Sequence, residues 1–186
     1  MVPEAEPQQT EDGLVAAGGG WFVLNARDAR WLSRTGLHSI SFTGKTEWEA
    51  DTYFPMLGVN LAVLEPGEPN SVYHWETETE AFLVLSGEAL LIVEGQERPL
   101  RQWDFVHCPP KTEHAIVGAG EGPCILLAMS SRENQAYGPY GEYVASEVAR
   151  KHRASPKETA QDDAEWEADI PSSEPASYGD GWLPVG

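Results

Sequence analysis

His74, Glu76, Glu80 and His114 are the residues of this chain whose types and spacing could do chemistry. His74 and Glu76 stand two apart in a β-rich stretch, so strand geometry turns both to one face while Tyr73 and Trp75 point to the other. A tight turn through Thr77, Glu78 and Thr79 brings Glu80 back beside them on the next strand. Farther along, Pro109 and Pro110 stop a strand, a short turn follows, and His114 opens the strand after it. Imidazoles and carboxylates that converge in an interior need a partner or a metal, because buried charge is costly. A divalent cation satisfies all four. Two imidazoles and two carboxylates form a mixed nitrogen and oxygen set, which suits Mn, Fe, Ni or Zn better than Mg or Cu(I). A metal-free reading stands beside this one, with both histidines as hydrogen-bonded core residues and the glutamates on a solvated rim.

The remaining titratable residues carry less. Glu78 sits at the turn and reads as a solvated loop charge. His107 lies on a strand of uncertain facing and reads as a satisfied core histidine beside the ligands. His38 and His152 have no acidic or histidine partner at ligand spacing and read as surface residues. Cys108 and Cys124 lack a Cys-x-x-Cys spacing and read as packed thiols rather than a bridge.

Positioning such a cluster requires a scaffold of short strands, and the sequence supplies them. Residues 21–132 consist of short apolar runs punctuated by Gly, Pro, Asn and Asp. Strands are expected at Trp21–Leu24, Leu37–Phe42, Leu57–Leu64, Ser71–Glu76, Ala81–Leu85, Ala89–Val93, Arg98–Leu100, Asp104–Cys108, His114–Val117 and Cys124–Met129, with a short helical insertion at Asn25–Arg34. Their close spacing leaves no room for crossover helices and predicts an all-β barrel or sandwich. Residues 1–20 are expected to form a flexible acidic arm, ordered only by lying on something else. Residues 133–186 are expected to form a C-terminal α-helical extension and docking tail. Tyr143, Val144, Glu147, Val148 and Lys151 fall at helical intervals, and Ser155-Pro156-Lys157-Glu158 has the form of a capping box. Tyr178, Trp182 and Leu183 read as anchors of the tail. Tyr73 and Trp75, facing outward, should be covered by that tail or by a second subunit.

The formal charge of −18 comes from thirty acidic against twelve basic residues. Such a field excludes nucleic acid and anionic lipid as partners, and no apolar run reaches the roughly 20 residues that span a bilayer. The first twenty residues lack the charged and apolar regions of a signal peptide, so cytoplasmic residence is expected.

Two segments resemble the paired motifs of the cupin superfamily, G-x5-H-x-H-x3/4-E-x6-G and G-x5-P-x-G-x2-H-x3-N. Gly67, His74, Glu80 and Gly87 match the first, with one extra residue between Gly67 and His74 and with Glu76 in place of the second histidine. Pro109 and His114 match the second, where Trp103, Lys111 and Gly118 replace the two glycines and the asparagine. The resemblance implies a cupin antiparallel β-barrel, a double-stranded β-helix of jelly-roll type, with one divalent transition metal per chain. Lys111 is expected to disturb its turn, since it must avoid the positive φ that glycine tolerates. Cupins frequently dimerise, so a homodimer is expected. The resemblance implies a metalloenzyme acting on a small oxygen-rich metabolite, in which Glu76 or Glu80 leaves the metal to act as base. The alternatives are a small-molecule binding or sensing module without catalysis, and a structural barrel whose acidic tail serves an interaction.

Overall fold

Runs such as Leu61-Ala62-Val63-Leu64 and Ala115-Ile116-Val117 are apolar at every position, a pattern a strand carries when both of its faces are covered. A computed structural model, which describes residues 1–16, 20–42, 57–132, 141–159 and 172–184, shows how both are covered. In chain order the strands are β1 (Gln8–Thr10), β2 (Gly13–Val15), β3 (Trp31–Arg34), β4 (Leu37–Ser41), β5 (Leu57–Leu64), β6 (His74–Glu76) and β7 (Glu80–Ser86). They continue as β8 (Glu88–Val93), β9 (Gln96–Arg101), β10 (Phe105–Cys108), β11 (His114–Ala119), β12 (Cys124–Ser131), β13 (Gly141–Tyr143) and β14 (Glu174–Ala176). A seven-stranded sheet runs β10-β7-β12-β5-β4-β3-β14 and a five-stranded sheet runs β13-β6-β11-β8-β9. Every ladder in both sheets is antiparallel, as an all-β jelly-roll barrel requires.

Three apolar layers follow from strand alternation. Ala62 and Leu64 of β5, Phe82 and Val84 of β7, Leu91 of β8 and Ile116 of β11 meet between the sheets. Leu61, Val63, Ile40, Ile125 and the fully buried Trp31 form a second layer on the outer face of the larger sheet, covered by Tyr178, Trp182 and Leu183 of the tail. Tyr73, Ile92, Ala115 and Val117 form a third on the outer face of the smaller sheet, covered by Val144, Val148, Ala149 and Ala154. The same chain therefore covers Tyr73. The exposed aromatics among the described residues are instead Trp21 and, at the edge strand β10, Phe105 with the preceding Trp103.

Several local expectations need correction. Trp21–Leu24 forms no strand, only an isolated bridge from Trp21 to Glu4. Asn25–Arg34 is a turn followed by β3 rather than a helix. Burial of Trp31, whose Nε1 donates to the Ala26 carbonyl at 2.8 Å, draws that segment into the sheet beside β4. The N-terminal arm is ordered where it lies on the barrel. β1 and β2 form a hairpin, Leu14 N donates to Asp28 O, and Arg30 N donates to Leu14 O. Gly13, at φ +137, permits this docking, because a Cβ there would come within 2.7 Å of the Ala29 and Arg30 backbone.

The helical extension is small. Tyr143 belongs to β13, which occupies the sheet edge that β6 would otherwise leave open. The helix that follows is α1 (Glu147–Arg150), capped by Ser146. Ser155 accepts from Ser146 N and donates to Pro156 O, so its hydroxyl is not available to cap a second helix, and residues 155–158 are not helical. The continuation of that expected helix falls at 160–171, outside the described residues.

Candidate metal centre

β6 and β11 pair at one position, His74 opposite His114, so both imidazoles leave adjacent strands on the inner face with ring centroids 4.9 Å apart. Glu80 opens β7 in the facing sheet and points at them. One ligand atom each from His74, Glu80 and His114 fit within a mutual distance of 4.8 Å. Glu76 lies beside this trio, its Oε1 3.5 Å from His74 Nε2, but outside the mutual radius.

Backbone contacts fix the tautomer of both histidines. His74 Nδ1 donates to the Val72 carbonyl at 2.6 Å and His114 Nδ1 donates to the Thr112 carbonyl at 3.0 Å. A carbonyl only accepts, so the ring proton of a neutral imidazole sits on Nδ1 and the Nε2 lone pair faces inward. His114 Nε2 then stands 3.2 Å from Glu80 Oε2, and His74 Nε2 faces Glu76. Lone pair against carboxylate is repulsive unless a second proton or a cation lies between them. Among the described residues, His114 Nε2 and Glu76 Oε2 are buried without a hydrogen-bond partner. These orphaned atoms fit a bound cation, because one ion accepts electron density from all of them.

Charge balance in the protein without an ion is met by protons. Burial lowers the His74 pKa, but the hydrogen bond to Glu76 and the charges of Glu80 and Glu76 outweigh it and raise it to about 9. Burial also raises Glu80, but His114 and His74 together hold its carboxyl below the ordinary range, so Glu80 is anionic.

The other titratable residues fall elsewhere. Glu78 is 2 % exposed and accepts from Ser131 Oγ at 2.6 Å, so it is a buried structural acid and not a solvated loop charge. Ser131 Oγ also accepts from Thr79 N, which ties the β6–β7 turn to the end of β12. The sequence signal missed there was Arg132, a second buried charge close in space to that turn's partner Ser131. His107 is exposed on β10 and does not support the ligands, because register turns Val106 and Cys108 inward instead. His38 and His152 are partly buried, bonded respectively to Ser33 Oγ at 2.8 Å and to Glu97 at 2.8 Å. Cys108 and Cys124 are buried free thiols, and burial pushes Cys108 up to about 12 and Cys124 to about 11.

The departures from the second motif are accommodated in two ways. Trp103 and Lys111 both adopt positive φ, +74 and +69, the conformation the replaced glycines would hold. Lys111 thus does not avoid it, contrary to expectation. Its N–H bonds the Glu76 carbonyl at 2.7 Å and its ammonium lies 6.0 Å from the centre of the Trp75 ring, which offset the strain. Gly118 stands where a Cβ would come within 2.3 Å of the Glu65 carbonyl, so asparagine does not fit there. Because Trp103 is 67 % exposed and has little packing to lose, Trp103→Gly is expected to stabilise the protein by up to about 1 kcal/mol. A lowered denaturation midpoint would contradict that account of the turn.

Residues 60–130 match the family model described as a cupin domain. An uncharacterized protein of Methanocaldococcus jannaschii is 27% identical over 79 residues, which cover 42% of this chain and 58% of that protein. Among solved structures, a sugar phosphate isomerase from a cupin superfamily of Silicibacter pomeroyi aligns at TM-score 0.46 and 23% identity, covering 58% of this chain and 64% of that one. Salicylate 1,2-dioxygenase of Pseudoaminobacter salicylatoxidans aligns at TM-score 0.46 and 17% identity over 55% of this chain and 27% of its own. The chain spans less than two thirds of each of these proteins. The family match runs from Asn60 in β5 to Ser130 in β12 and takes in His74, Glu76, Glu80 and His114. Residues 60–130, the segment that carries the four candidate residues, are thus similar to a cupin domain.

Proposed function

We propose that the protein holds one divalent transition-metal ion between His74, Glu80 and His114, with Glu76 alongside, and uses it on a small oxygen-rich metabolite. The observation that carries this reading is the inward pair of Nε2 atoms, each facing a carboxylate while its Nδ1 is committed to a backbone carbonyl. The mixed nitrogen and oxygen donors suit Mn, Fe, Ni or Zn. When bound, such an ion supplies Lewis-acid polarisation, or oxygen activation if it is redox-active. The chain's own residues do the rest. Val72 O and Thr112 O hold the imidazole orientations, Glu80 supplies negative charge, and Glu76, outside the tight trio, is placed to exchange a proton with a bound molecule.

Elemental analysis of protein purified without chelators tests the reading, with close to one ion per chain expected. Protein that is metal-free and takes up none of Mn, Fe, Ni or Zn would overturn it. Within this test Glu76 separates two ligand sets. Glu76→Ala is expected to weaken binding by roughly 10-fold, as loss of an outer partner does, and Glu76→His to retain the ion. A loss with Glu76→Ala as large as that with His114→Ala would place Glu76 among the direct ligands.

A further inference from the structure

A second feature of the barrel is a polar cavity whose wall shares the inner face of the larger sheet with Glu80. A cavity of about 250 Å³ opens between β3, β4, β5 and the segment before β6, with polar walls formed by Arg30, Ser39, Ser41, Asn60 and Asn70. The cavity is on the inner face. Ser39 pairs with the inward Ala62, and Ser41 pairs with Asn60, which pairs in turn with Ala128. Ala128, another wall residue, pairs with Phe82, two residues along β7 from Glu80. The cavity wall and the candidate centre are thus on adjacent strands of one inner face.

Its electrostatics run against those of the whole molecule. The chain carries a formal charge of −18, yet the charged residue lining this cavity is an arginine. Arg34, Arg150 and Arg153 each lie against a glutamate, whereas no carboxylate among the described residues pairs with the Arg30 side chain. Arg30 is held in place by its backbone, through its N–H bond to Leu14 O, and Leu14, Val15 and Ala16 of the N-terminal hairpin wall the cavity next to it. Ser41 Oγ is buried without a partner among the described residues. Hydroxyls and amides around a guanidinium that no described carboxylate pairs recognise an anion that also carries hydroxyl groups. The volume is below the roughly 300–1,000 Å³ of pockets for drug-sized ligands and suits a metabolite.

We propose that this cavity binds a small polyhydroxylated acid, with Arg30 against its carboxylate or phosphate and Ser39, Ser41, Asn60 and Asn70 against its hydroxyls. This deepens the metal-centre reading by naming the substrate class, and its test is independent of the ion. Calorimetric titration of the full chain with D-gluconate and with sorbitol, its neutral six-carbon counterpart, separates charge recognition from hydroxyl recognition. Gluconate is expected to bind roughly tenfold or more tightly than sorbitol, as one charge-assisted contact gives. Arg30→Gln should reduce gluconate to the level of sorbitol, while Asn60→Leu should weaken both. No binding of either compound at millimolar concentration, equal binding of the two, or unchanged gluconate binding in Arg30→Gln each overturns the proposal. The His114→Ala protein distinguishes the two readings. Arg30-dependent binding that persists there stands without the metal, whereas binding lost there and retained in Arg30→Gln assigns the acid to the metal and refutes the role of Arg30.

Discussion

His114→Ala is expected to lower metal affinity by at least roughly 100-fold, beyond the ~10–100-fold that loss of an outer partner produces. The physical reason is specific to this residue. His114 is 2 % exposed, its Nδ1 is committed to Thr112 O, and its Nε2, without a hydrogen-bond partner among the described residues, faces Glu80 at 3.2 Å. His74→Ala should behave alike. Occupancy should also appear as stability, since an ion at 100 times its dissociation constant adds about 2.7 kcal/mol and raises the melting temperature by roughly 5–10 °C for a chain of this size. That rise should vanish in both histidine variants. Protons enter the same equilibrium. His74, raised to about 9 by Glu76 and Glu80 against the effect of burial, carries a proton at neutral pH that a metal must displace. Apparent affinity should therefore fall about tenfold per unit as pH drops below about 9 and level off above it, with a proton released on binding. Histidines at the ordinary value near 6.5 would confine that dependence to more acid solution. Affinity unchanged between pH 7 and pH 9 would remove His74 from the centre.

Much of this arrangement was legible in the sequence because strand alternation is strictly two-fold. His74 and Glu76 had to share a face, and the turn to Glu80 was short enough to keep it near them. Nine of the ten expected strands overlap observed ones for the same reason: β5, β8, β11 and β12 carry long apolar runs that only a doubly covered strand sustains. What was not legible depended on contacts distant in sequence. Glu78 looks like a solvated turn residue until Ser131, 53 residues away, is folded against it. Tyr143 sits in a helical pattern, yet an open edge at β6 takes it as a strand. His107 could not be oriented because β10 pairs with β7 at an edge, where register decides the facing and composition does not. The polar cavity beside the centre was equally hidden, since Arg30, Ser39 and Asn60 belong to separate segments that only the sheet order β5-β4-β3 brings together.

Removal of the chain from residue 172 onward is expected to destabilise the barrel by several kcal/mol, because the tail is the lid of the second apolar layer. β14 pairs with β3 through Glu174, Pro175 and Ala176, and beyond it Tyr178 and Trp182 both rest on Trp31, with ring centroids 6.0 and 5.2 Å away. Truncation would bring the fully buried Trp31 to the surface along with Ile40 and Leu61. A single replacement isolates the main contact. Trp182→Ala removes the edge contact to Trp31 and the stack on His38 at 3.9 Å, at a cost of about 2–3 kcal/mol and a melting temperature lower by roughly 5–10 °C. The same stack makes the tail acid-sensitive. Burial depresses the His38 pKa below its ordinary 6.5, only partly opposed by the charge of Glu65, so the folded state favours neutral imidazole. A depressed pKa contributes stability that is complete above 6.5 and is lost as pH falls through the folded value. Wild-type stability should therefore decline below pH 6.5 more steeply than that of Trp182→Ala, in which water reaches His38 and its pKa returns toward the ordinary value. Chemical denaturation at pH 7.5 and pH 5 with both proteins measures the difference. Parallel losses in the two would show that His38 and Trp182 do not share one site, and an unchanged melting temperature for Trp182→Ala would show that the tail does not hold the barrel.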